Sequence, residues 1–301
     1  MRATVLITGA LGFVGKALCN EMSNRKITIA PIRLSHTDPE NLAAALRHCS
    51  TVVHLSARVH VMQDTALNPL LEYRLTNVDT TLILARQAAT NGVRRFVFVS
   101  SVKVNGENTV AGQYFSEDDK PVPEDAYGIS KMEAEQGLRL IATETDMEVV
   151  IIRPPLVYGP GVKANFAMLI RAVQRGWVLP LGSVHNKRSL VALINLVDFI
   201  IHCTTHPYAA NQTFLVSDDV DISTSDLVCS VARALGRPAR LLPIPVPILQ
   251  IAGQILGRTK TVDRLCNNLQ VDISKARNLL NWKPVITMDE ALRQCVSLEN
   301  S

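Results

Sequence analysis

The sequence predicts a doubly wound α/β protein in which a parallel sheet is followed by a smaller, mixed α/β domain. A short β-branched run at positions 3–8 passes directly into a glycine-rich stretch. Strand-like and helix-like patterns then alternate to about residue 155, as expected for a parallel sheet with helices on both faces. Beyond that point the pattern becomes mixed. We therefore expect a first domain at 1–155 and a mainly C-terminal domain at 156–301, with later segments free to return to the first sheet.

Length and composition describe a globular protein of one large or two moderate domains. The chain has 301 residues, of which 47% are hydrophobic and 19% charged, with a net charge of +4. Aromatic residues make up only 5%, and the sequence lacks a dense Lys/Arg tract, so no nucleic-acid partner is expected. The mild positive excess suits an anionic small molecule instead.

Cysteine and histidine spacing argues against metal and disulfide sites. The six cysteines include no CxxC pair, and the seven histidines show no paired ligand spacing. This pattern indicates a reducing, cytoplasmic environment. The N-terminus has no signal-peptide layout, and the longest apolar tract, at 244–256, contains prolines and is too short to cross a bilayer. A packed helix is favoured there over a peripheral membrane helix, so no membrane partner is expected.

The glycine-rich stretch after the first strand predicts a dinucleotide-binding loop of the Rossmann type. Gly9 permits a tight turn, Gly12 allows a pyrophosphate to approach the backbone, and Gly15 allows the next helix to pack closely on the strand. The helix N-terminus then offers free N–H groups and a positive dipole end to the phosphates. The alternative is a tight turn that binds no ligand.

The end of the second strand, predicted at 27–33, bears on the choice of cofactor. A NAD-specific unit usually has an acidic residue there, which bonds the adenosine ribose hydroxyls. This sequence has Arg33 and Ser35, with Asp38 only later. Because arginine and serine suit a 2′-phosphate, NADP(H) is favoured and NAD(H) is the alternative. The competing interpretation is that Arg33 is a solvated strand end.

Apolar periodicity and helix-end signals predict the remaining elements. Further strands are predicted at 51–55, 95–101, 147–152 and 213–216. Helices are predicted at 39–47, 69–91, 126–143, 165–175, 196–206, 223–235, 247–256 and 289–296. His54 lies inside a strand and is interpreted as a core histidine, whereas Arg58 and His60 face either substrate or solvent. Ser223 and Ser225 are candidate helix caps.

Tyr127 and Lys131 form the candidate proton-transfer pair. They lie four residues apart at the start of a predicted helix, and therefore on one face of it. An ammonium group beside a phenol stabilises the phenolate and lets such a tyrosine exchange a proton. A solvated Tyr–Lys pair is the alternative, but this pair lies downstream of the glycine loop and of two serines, Ser100 and Ser101, that end a strand.

Five motifs together resemble the extended short-chain dehydrogenase/reductases, which are nucleotide-sugar epimerases, dehydratases and reductases. They are Thr8-Gly9-x-x-Gly12-x-x-Gly15, Val53-His-Leu-Ser-Ala57, Ser100-Ser101, Tyr127-x-x-x-Lys131 and Arg153-Pro-x-x-x-Tyr158-Gly-Pro160. A narrower likeness is to the branch of UDP-glucose 4-epimerases and of O-antigen enzymes that reduce UDP-4-keto-6-deoxy-N-acetylhexosamines. Ala57-Arg-Val-His-Val-Met62, Ser101-Val-Lys-Val-Asn-Gly106 and Gly161-Val-Lys-Ala-Asn165-Phe carry it.

The resemblance implies a role for each matching residue. Tyr127 is expected to be the acid/base, Lys131 to hold the nicotinamide ribose and lower the tyrosine pKa, and Ser101, rather than Ser100, to bond the reacting oxygen. The expected cofactor-binding residues are Gly9, Gly12, Phe13, Val14, Gly15, Arg33, Leu55, Ala57, Asn77, Tyr127, Lys131 and Pro154. The expected substrate-binding residues are Lys103, Asn165, Arg188 and Arg264, since arginine binds phosphate oxygens in a fork.

The function this implies is NAD(P)-dependent oxidoreduction at carbon 4 of a UDP-hexose. Reduction of a 4-keto sugar in O-antigen synthesis is favoured over 4-epimerisation because Arg33 replaces the acidic residue. Lys103 and Asn105 also depart from the Val-Tyr-Gly that often follows the family's serine. A non-catalytic NADP-binding protein ranks lower, because the catalytic residues are all present. The helices at 69–91 and 126–143 resemble the family's dimer-forming pair, so a homodimer is expected.

Overall fold

The computed structural model of the protein describes residues 4–34, 37–59 and 68–297. A six-stranded, wholly parallel sheet forms its centre. Its strands are β1 (Thr4–Thr8), β2 (Ile29–Ile32), β3 (Cys49–His54), β4 (Arg95–Val99), β5 (Glu148–Arg153) and β8 (Thr213–Leu215). They lie in the order β2-β1-β3-β4-β5-β8. The chain therefore leaves β1 in one direction and continues from β3 in the other, which creates a crevice between their carboxyl ends.

The helices that connect the first five strands lie close to their predicted positions. They are α1 (Phe13–Asn24), α2 (Pro39–Arg47), α3 (Pro69–Tyr73) continuing into α4 (Thr80–Thr90), and α5 (Ala126–Glu144). The helix predicted at 69–91 contains a π-helical turn at Arg74–Asp79, a departure that apolar spacing cannot signal. Asp38 caps α2, and its side chain accepts a hydrogen bond from the Asn41 N–H at 2.9 Å.

The two faces of the sheet are buried by different helices, because alternate strand residues point to opposite faces. Val5 and Ile7 pack towards α1 and towards α7 (Leu193–Thr205), a helix from the second half of the chain. Leu6 packs on the other face, where α2, α4 and α5 lie. The predicted fold class, a doubly wound sheet with a smaller mixed unit, is confirmed.

The smaller unit is built from a short mixed sheet and the remaining helices. Its strands are β6 (Leu156–Tyr158), β7 (Arg188–Ala192) and β9 (Asp221–Ile222), with β6 and β7 parallel and β7 and β9 antiparallel. Its helices are α6 (Ala164–Gln174), α8 (Thr224–Ala234), α9 (Val246–Ile255), α10 (Thr259–Cys266), α11 (Ser274–Leu280) and α12 (Met288–Ser297). Tyr158 and Phe166 stack in its core, with ring centroids 5.4 Å apart.

One later segment returns to the first sheet, and one predicted helix cap needs correction. The strand predicted at 213–216 lies at the edge of the six-stranded sheet, where Thr213 pairs with Ile151 of β5. It returns there because α7 covers that sheet and delivers the chain to its edge. Ser223 caps α8 as expected, but the Ser225 hydroxyl bonds the carbonyls of Leu181 and Val184 instead of the helix start.

All six cysteines are free thiols. Across the described ranges, every helix is too short or too polar to span a bilayer.

Candidate active site

The glycine loop closes against the end of β3, at the crevice where the strand order reverses. Gly9 has a φ of +70°, and a Cβ there would lie 2.8 Å from the backbone carbon of Leu55. A Cβ on Gly15 would lie 2.1 Å from the Gly9 oxygen. Gly12 begins α1 and has no side chain that could bond the first turn of the helix. The N–H groups of that turn are thus suited to bind phosphate oxygens.

The other predicted cofactor residues lie around this loop or along the same edge of the sheet. Phe13 and Val14 pack partly buried against the core, and Leu55 and Ala57 are partly buried after β3. Pro154 is buried, and its carbonyl accepts a hydrogen bond from the Val102 N–H at 3.0 Å. Arg33 follows β2 with an exposed side chain. Ser35 and His60 lie outside the described residues.

Tyr127 stands in the first turn of α5, close to Ser101 at the end of β4. Asp125 caps α5 and accepts a hydrogen bond from the Gly128 N–H at 2.7 Å. The Tyr127 ring packs edge-on against Tyr73, with centroids 6.2 Å apart. Burial raises the pKa of Tyr127, the Asp125 carboxylate and Tyr73 raise it further, and the Ser101 hydroxyl opposes the rise. Tyr127 is therefore a protonated phenol, able to donate its proton.

Lys131 lies one helical turn further along α5, in a buried position. Its Nζ donates to the Val99 carbonyl at 2.9 Å and lies 4.4 Å from the centroid of Phe98. The distance from Nζ to the centroid of the Tyr127 ring is 5.9 Å. Burial lowers the pKa of Lys131 to about 7, against the attraction of Glu135. The pKa of Tyr127 is raised on balance, and the expected lowering of that pKa by Lys131 stays a prediction.

His54 is a core residue, as predicted. Its Nδ1 bonds the Thr8 hydroxyl at 2.7 Å, and its Nε2 bonds the Thr81 hydroxyl at 2.9 Å. Burial and the neighbouring Lys131 lower its pKa to about 3, so the ring is neutral and has both nitrogens bonded. It joins β1, β3 and α4 beneath the crevice.

Asn77 makes hydrogen bonds within the protein that its expected role in cofactor binding did not predict. It is buried in the π-helical turn, where its Oδ1 accepts from the Arg58 N–H at 2.7 Å. Its Nδ2 donates to the Arg58 carbonyl and to the Ser130 hydroxyl, both at 3.0 Å. The Ser130 hydroxyl in turn donates to the Tyr127 carbonyl at 2.8 Å. Asn77 thus connects the loop after β3 to α5, the helix of Tyr127.

A buried polar network beneath the candidate catalytic residues was missed by sequence reasoning. Ser100 donates to the Glu135 carboxylate at 2.6 Å, and Arg153 bonds both oxygens of that carboxylate. Arg153 also donates to Asn105 at 3.0 Å. The Ser100 hydroxyl is therefore hydrogen-bonded within the core, whereas Ser101 faces Tyr127. The spacing of Glu135, four residues after Lys131, could have indicated its face of the helix, but not its partner.

The predicted substrate residues form a charged cluster, with one member apart. Lys103 pairs with Glu107 and Asp125, and so faces these carboxylates instead of solvent. Arg264 lies 4.0 Å from Glu107. Burial lowers the pKa of Arg188 to about 10, with Glu107 opposing the shift and Arg264 adding to it. Asn165 is exposed in the first turn of α6, a helix without a side-chain cap.

The fold and this site together define a Rossmann-type, dinucleotide-dependent oxidoreductase. The family model described as the NAD dependent epimerase/dehydratase family matches residues 5–217. A UDP-glucose 4-epimerase from Vibrio cholerae is 45% identical over 310 residues, covering 98% of this chain and 94% of that protein. The chain belongs to the NAD dependent epimerase/dehydratase family, which confirms the resemblance read from its motifs.

Solved structures show the same fold at low sequence identity. RMD from Pseudomonas aeruginosa, solved with NADPH, has a TM-score of 0.80 at 20% identity, over 99% of this chain and 100% of that one. A UDP-glucuronic acid 4-epimerase from Bacillus cereus, solved with NAD, has a TM-score of 0.77 at 19% identity, over 99% and 98% of the two chains. The architecture thus holds either dinucleotide in other proteins.

Proposed function

We propose that this enzyme carries out oxidoreduction at carbon 4 of a UDP-hexose with NAD(P) as cofactor. The observation that carries the proposal is the placement of Tyr127 beside Ser101 and one turn from Lys131, at the sheet edge where the glycine loop opens. The glycine loop and the first turn of α1 are suited to hold the cofactor's phosphates, and Lys131 its ribose. When bound, the nicotinamide supplies or accepts the hydride.

The chain's own residues would then manage the proton on the sugar oxygen. Tyr127, a phenol with a raised pKa, donates its proton to the oxygen at carbon 4 when a keto group is reduced. In the opposite direction, the phenolate oxygen of Tyr127 would receive the proton of the sugar hydroxyl, which restores the phenol. Ser101 donates a hydrogen bond to the oxygen and stabilises the charge that develops on it.

The UDP group is proposed to lie against the smaller unit. Arg188 and Arg264 both interact with Glu107, so two guanidinium groups converge where a diphosphate could bind them in a fork. The free N–H groups at the start of α6, next to Asn165, offer a second anion-binding position. Lys103 would remain near the sugar, held by Glu107 and Asp125.

Of the two reactions that these residues can perform, 4-epimerisation is the one we place first. The 45% identity to a UDP-glucose 4-epimerase over nearly the whole chain supports it. The sequence itself favours the second candidate, reduction of a UDP-4-keto-6-deoxy-N-acetylhexosamine in O-antigen synthesis. Its support is Arg33, exposed after β2 where an acidic residue is usual in NAD-specific enzymes, and this also favours NADP(H) over NAD(H).

A cytoplasmic homodimer is also part of the proposal. The six free cysteines fit a reducing compartment. The helices α3, α4 and α5 expose apolar side chains on the face opposite the sheet. They are Leu71, Leu75, Ile83 and Leu140, each at least half exposed. Sedimentation of the wild-type protein and of Ile83→Glu tests this assembly, since a charge at the centre of the interface should give monomers.

A product assay distinguishes the two reactions. The purified protein is incubated with UDP-galactose, UDP-N-acetylglucosamine and a UDP-4-keto-6-deoxy-N-acetylhexosamine, each with and without added NAD(P)H. Epimerised UDP-sugar without added cofactor supports the epimerase and rejects the reductase. Stoichiometric oxidation of NAD(P)H with the keto sugar alone does the reverse.

Two tyrosine variants test the site itself. Tyr127→Phe removes the proton donor and should lower kcat at least about 100-fold, with little change in nucleotide affinity. Tyr114→Phe is the matched control, because Tyr114 is 52% exposed and lies outside the site. Full activity of Tyr127→Phe would reject the assignment.

A further inference from the structure

One face of the smaller unit exposes an unusual row of large apolar side chains. Ile248, Ile251 and Ile255 follow the three- and four-residue spacing of one helical face along α9, and they are 55%, 56% and 79% exposed. Leu256, directly after the helix, is 72% exposed. We call these four side chains the α9 surface. Within the described helix only Gly253 is buried, where it packs against Val262 of α10.

The neighbouring chain adds to this apolar character. The segment that leads into α9 pairs with Leu179, whose N–H donates to the Arg240 carbonyl and whose carbonyl accepts from the Leu242 N–H. Leu242 is 48% exposed, and Trp177 is 56% exposed with the Arg175 guanidinium 5.6 Å from its ring centroid. A tryptophan and an arginine stacked at an exposed apolar edge are typical of groups that lie at a membrane interface.

Charge is distributed unevenly around the same surface. Positions 227–262, which include α9, contain no aspartate or glutamate. The basic residues in this stretch are Arg233, Arg237, Arg240, Arg258 and Lys260, and Arg233 pairs with Asp289. Arg258 and Lys260 directly follow the α9 surface and are exposed, as are Arg237 and Arg240 before it. Four exposed cations therefore flank the α9 surface in sequence, with no acidic residue in the stretch to offset them.

We infer that the α9 surface docks on an anionic lipid bilayer. Apolar side chains on one side of a short helix, with basic residues at its ends, bury in the boundary between headgroups and acyl chains while the cations contact lipid phosphates. A second copy of the chain would fit less well, because two such faces would bring like charges together. This inference is independent of the proposed reaction, and it favours the peripheral membrane helix that was the alternative for positions 244–256.

Vesicle flotation tests the inference directly. The protein is mixed with vesicles of phosphatidylcholine alone, or of phosphatidylcholine with 30% phosphatidylglycerol, at low salt and at high salt. Binding should require phosphatidylglycerol and should weaken at high salt, where charge attraction is screened. Ile251→Ser/Ile255→Ser should reduce the bound-to-free ratio at least tenfold, because two apolar anchors are lost. Arg258→Gln/Lys260→Gln should weaken the preference for the anionic vesicles.

Matched controls keep this test decisive. Val110→Ser/Val285→Ser removes two exposed apolar side chains from other parts of the surface and should float like the wild type. Melting curves should show that both serine pairs leave the fold intact, since all four side chains are exposed. Wild-type protein that stays unbound, or an isoleucine variant that floats equally well, overturns the inference. If the wild type does not bind vesicles and the isoleucine variant sediments with a different mass, the α9 surface instead forms contacts between copies of the chain.

Discussion

The carboxylate of Glu135 and the guanidinium of Arg153 form a two-pronged ion pair in the core of the protein. The Nε of Arg153 donates to one oxygen at 2.9 Å and its Nη2 to the other at 2.6 Å, and both side chains are 1% exposed. Glu135 belongs to α5, the helix of Tyr127 and Lys131, and Arg153 ends β5. The pair therefore joins the helix of the proposed catalytic residues to the carboxyl edge of the sheet.

Arg153→Met should destabilise the protein strongly. The substitution leaves the Glu135 carboxylate buried without its main partner and also removes the bond to Asn105. Loss of one member of a buried pair costs about 3–5 kcal/mol of unfolding free energy. The double variant Glu135→Leu/Arg153→Met should recover part of that loss, since no isolated charge remains. Denaturant unfolding with both variants measures the two values.

The control for this pair is an exposed ion pair between α4 and α5. Arg86→Ala removes the ion pair with Glu144, whose side chains are 59% and 43% exposed. Such pairs contribute less than about 1 kcal/mol. If Arg153→Met lowers the free energy of unfolding no more than Arg86→Ala does, the buried pair does not stabilise the fold beneath the site.

Ser100→Ala and Ser101→Ala should give opposite phenotypes although the residues are adjacent. Ser101 faces Tyr127, so its loss should lower kcat by about 100-fold or more while stability changes little. Ser100 donates to Glu135, so its loss should cost about 1–3 kcal/mol of stability and leave kcat nearly intact. Steady-state kinetics and denaturant unfolding of both variants provide the comparison. If both variants lose kcat equally, the hydrogen bond to the reacting oxygen cannot be assigned to Ser101 in preference to Ser100.

Local patterns were sufficient to predict the sheet and its helices, and the family resemblance implied the convergence of Ser101 with Tyr127. The strands are β-branched runs bounded by turn signals. The carboxyl ends of parallel strands lie at the same edge of a sheet, so residues that follow them come close together. The partners of Lys103 and Glu135 were not predictable, because periodicity shows which face a residue occupies but not what it meets across the fold. The same holds for β8, whose position depends on how α7 packs, and for the π-helical turn at Asn77.

Gly12→Ala and Gly15→Ala should separate cofactor binding from folding. At Gly15 a Cβ would lie 2.1 Å from the Gly9 oxygen, so this variant should lose both stability and nucleotide affinity. At Gly12 the corresponding distance is 3.1 Å, so the loop needs only a small shift to accept the methyl group. Under the proposed binding of the cofactor's phosphates at this loop, the methyl group should obstruct them, and affinity should fall about tenfold or more with a nearly normal melting temperature. Titration calorimetry with NAD(P) and thermal melts measure both quantities.

Gly92→Ala is the control for backbone effects in this series. Gly92 has a φ of +79° and open space around its Cβ position, so the variant should lose about 1 kcal/mol of stability through strain. Its affinity for nucleotide should equal that of the wild type. Unchanged affinity in Gly12→Ala would place the phosphates elsewhere.

Lys131 should make the nucleotide-free protein more stable as the pH rises above neutrality. Its pKa is 10.5 in an unfolded chain and about 7 when buried, so between these values the unfolded state binds more protons. Stability then increases with pH by up to about 1.4 kcal/mol per unit in that window, and the full cost of burying the charge is present below it. Lys131→Met should remove this contribution, so the difference in unfolding free energy between variant and wild type should shrink from pH 7 to pH 9. Lys283→Met, at an exposed lysine, should keep the wild-type dependence. Parallel curves for the wild type and Lys131→Met would mean that Lys131 stays charged when buried, and that the carbonyl of Val99 and the ring of Phe98 compensate its desolvation.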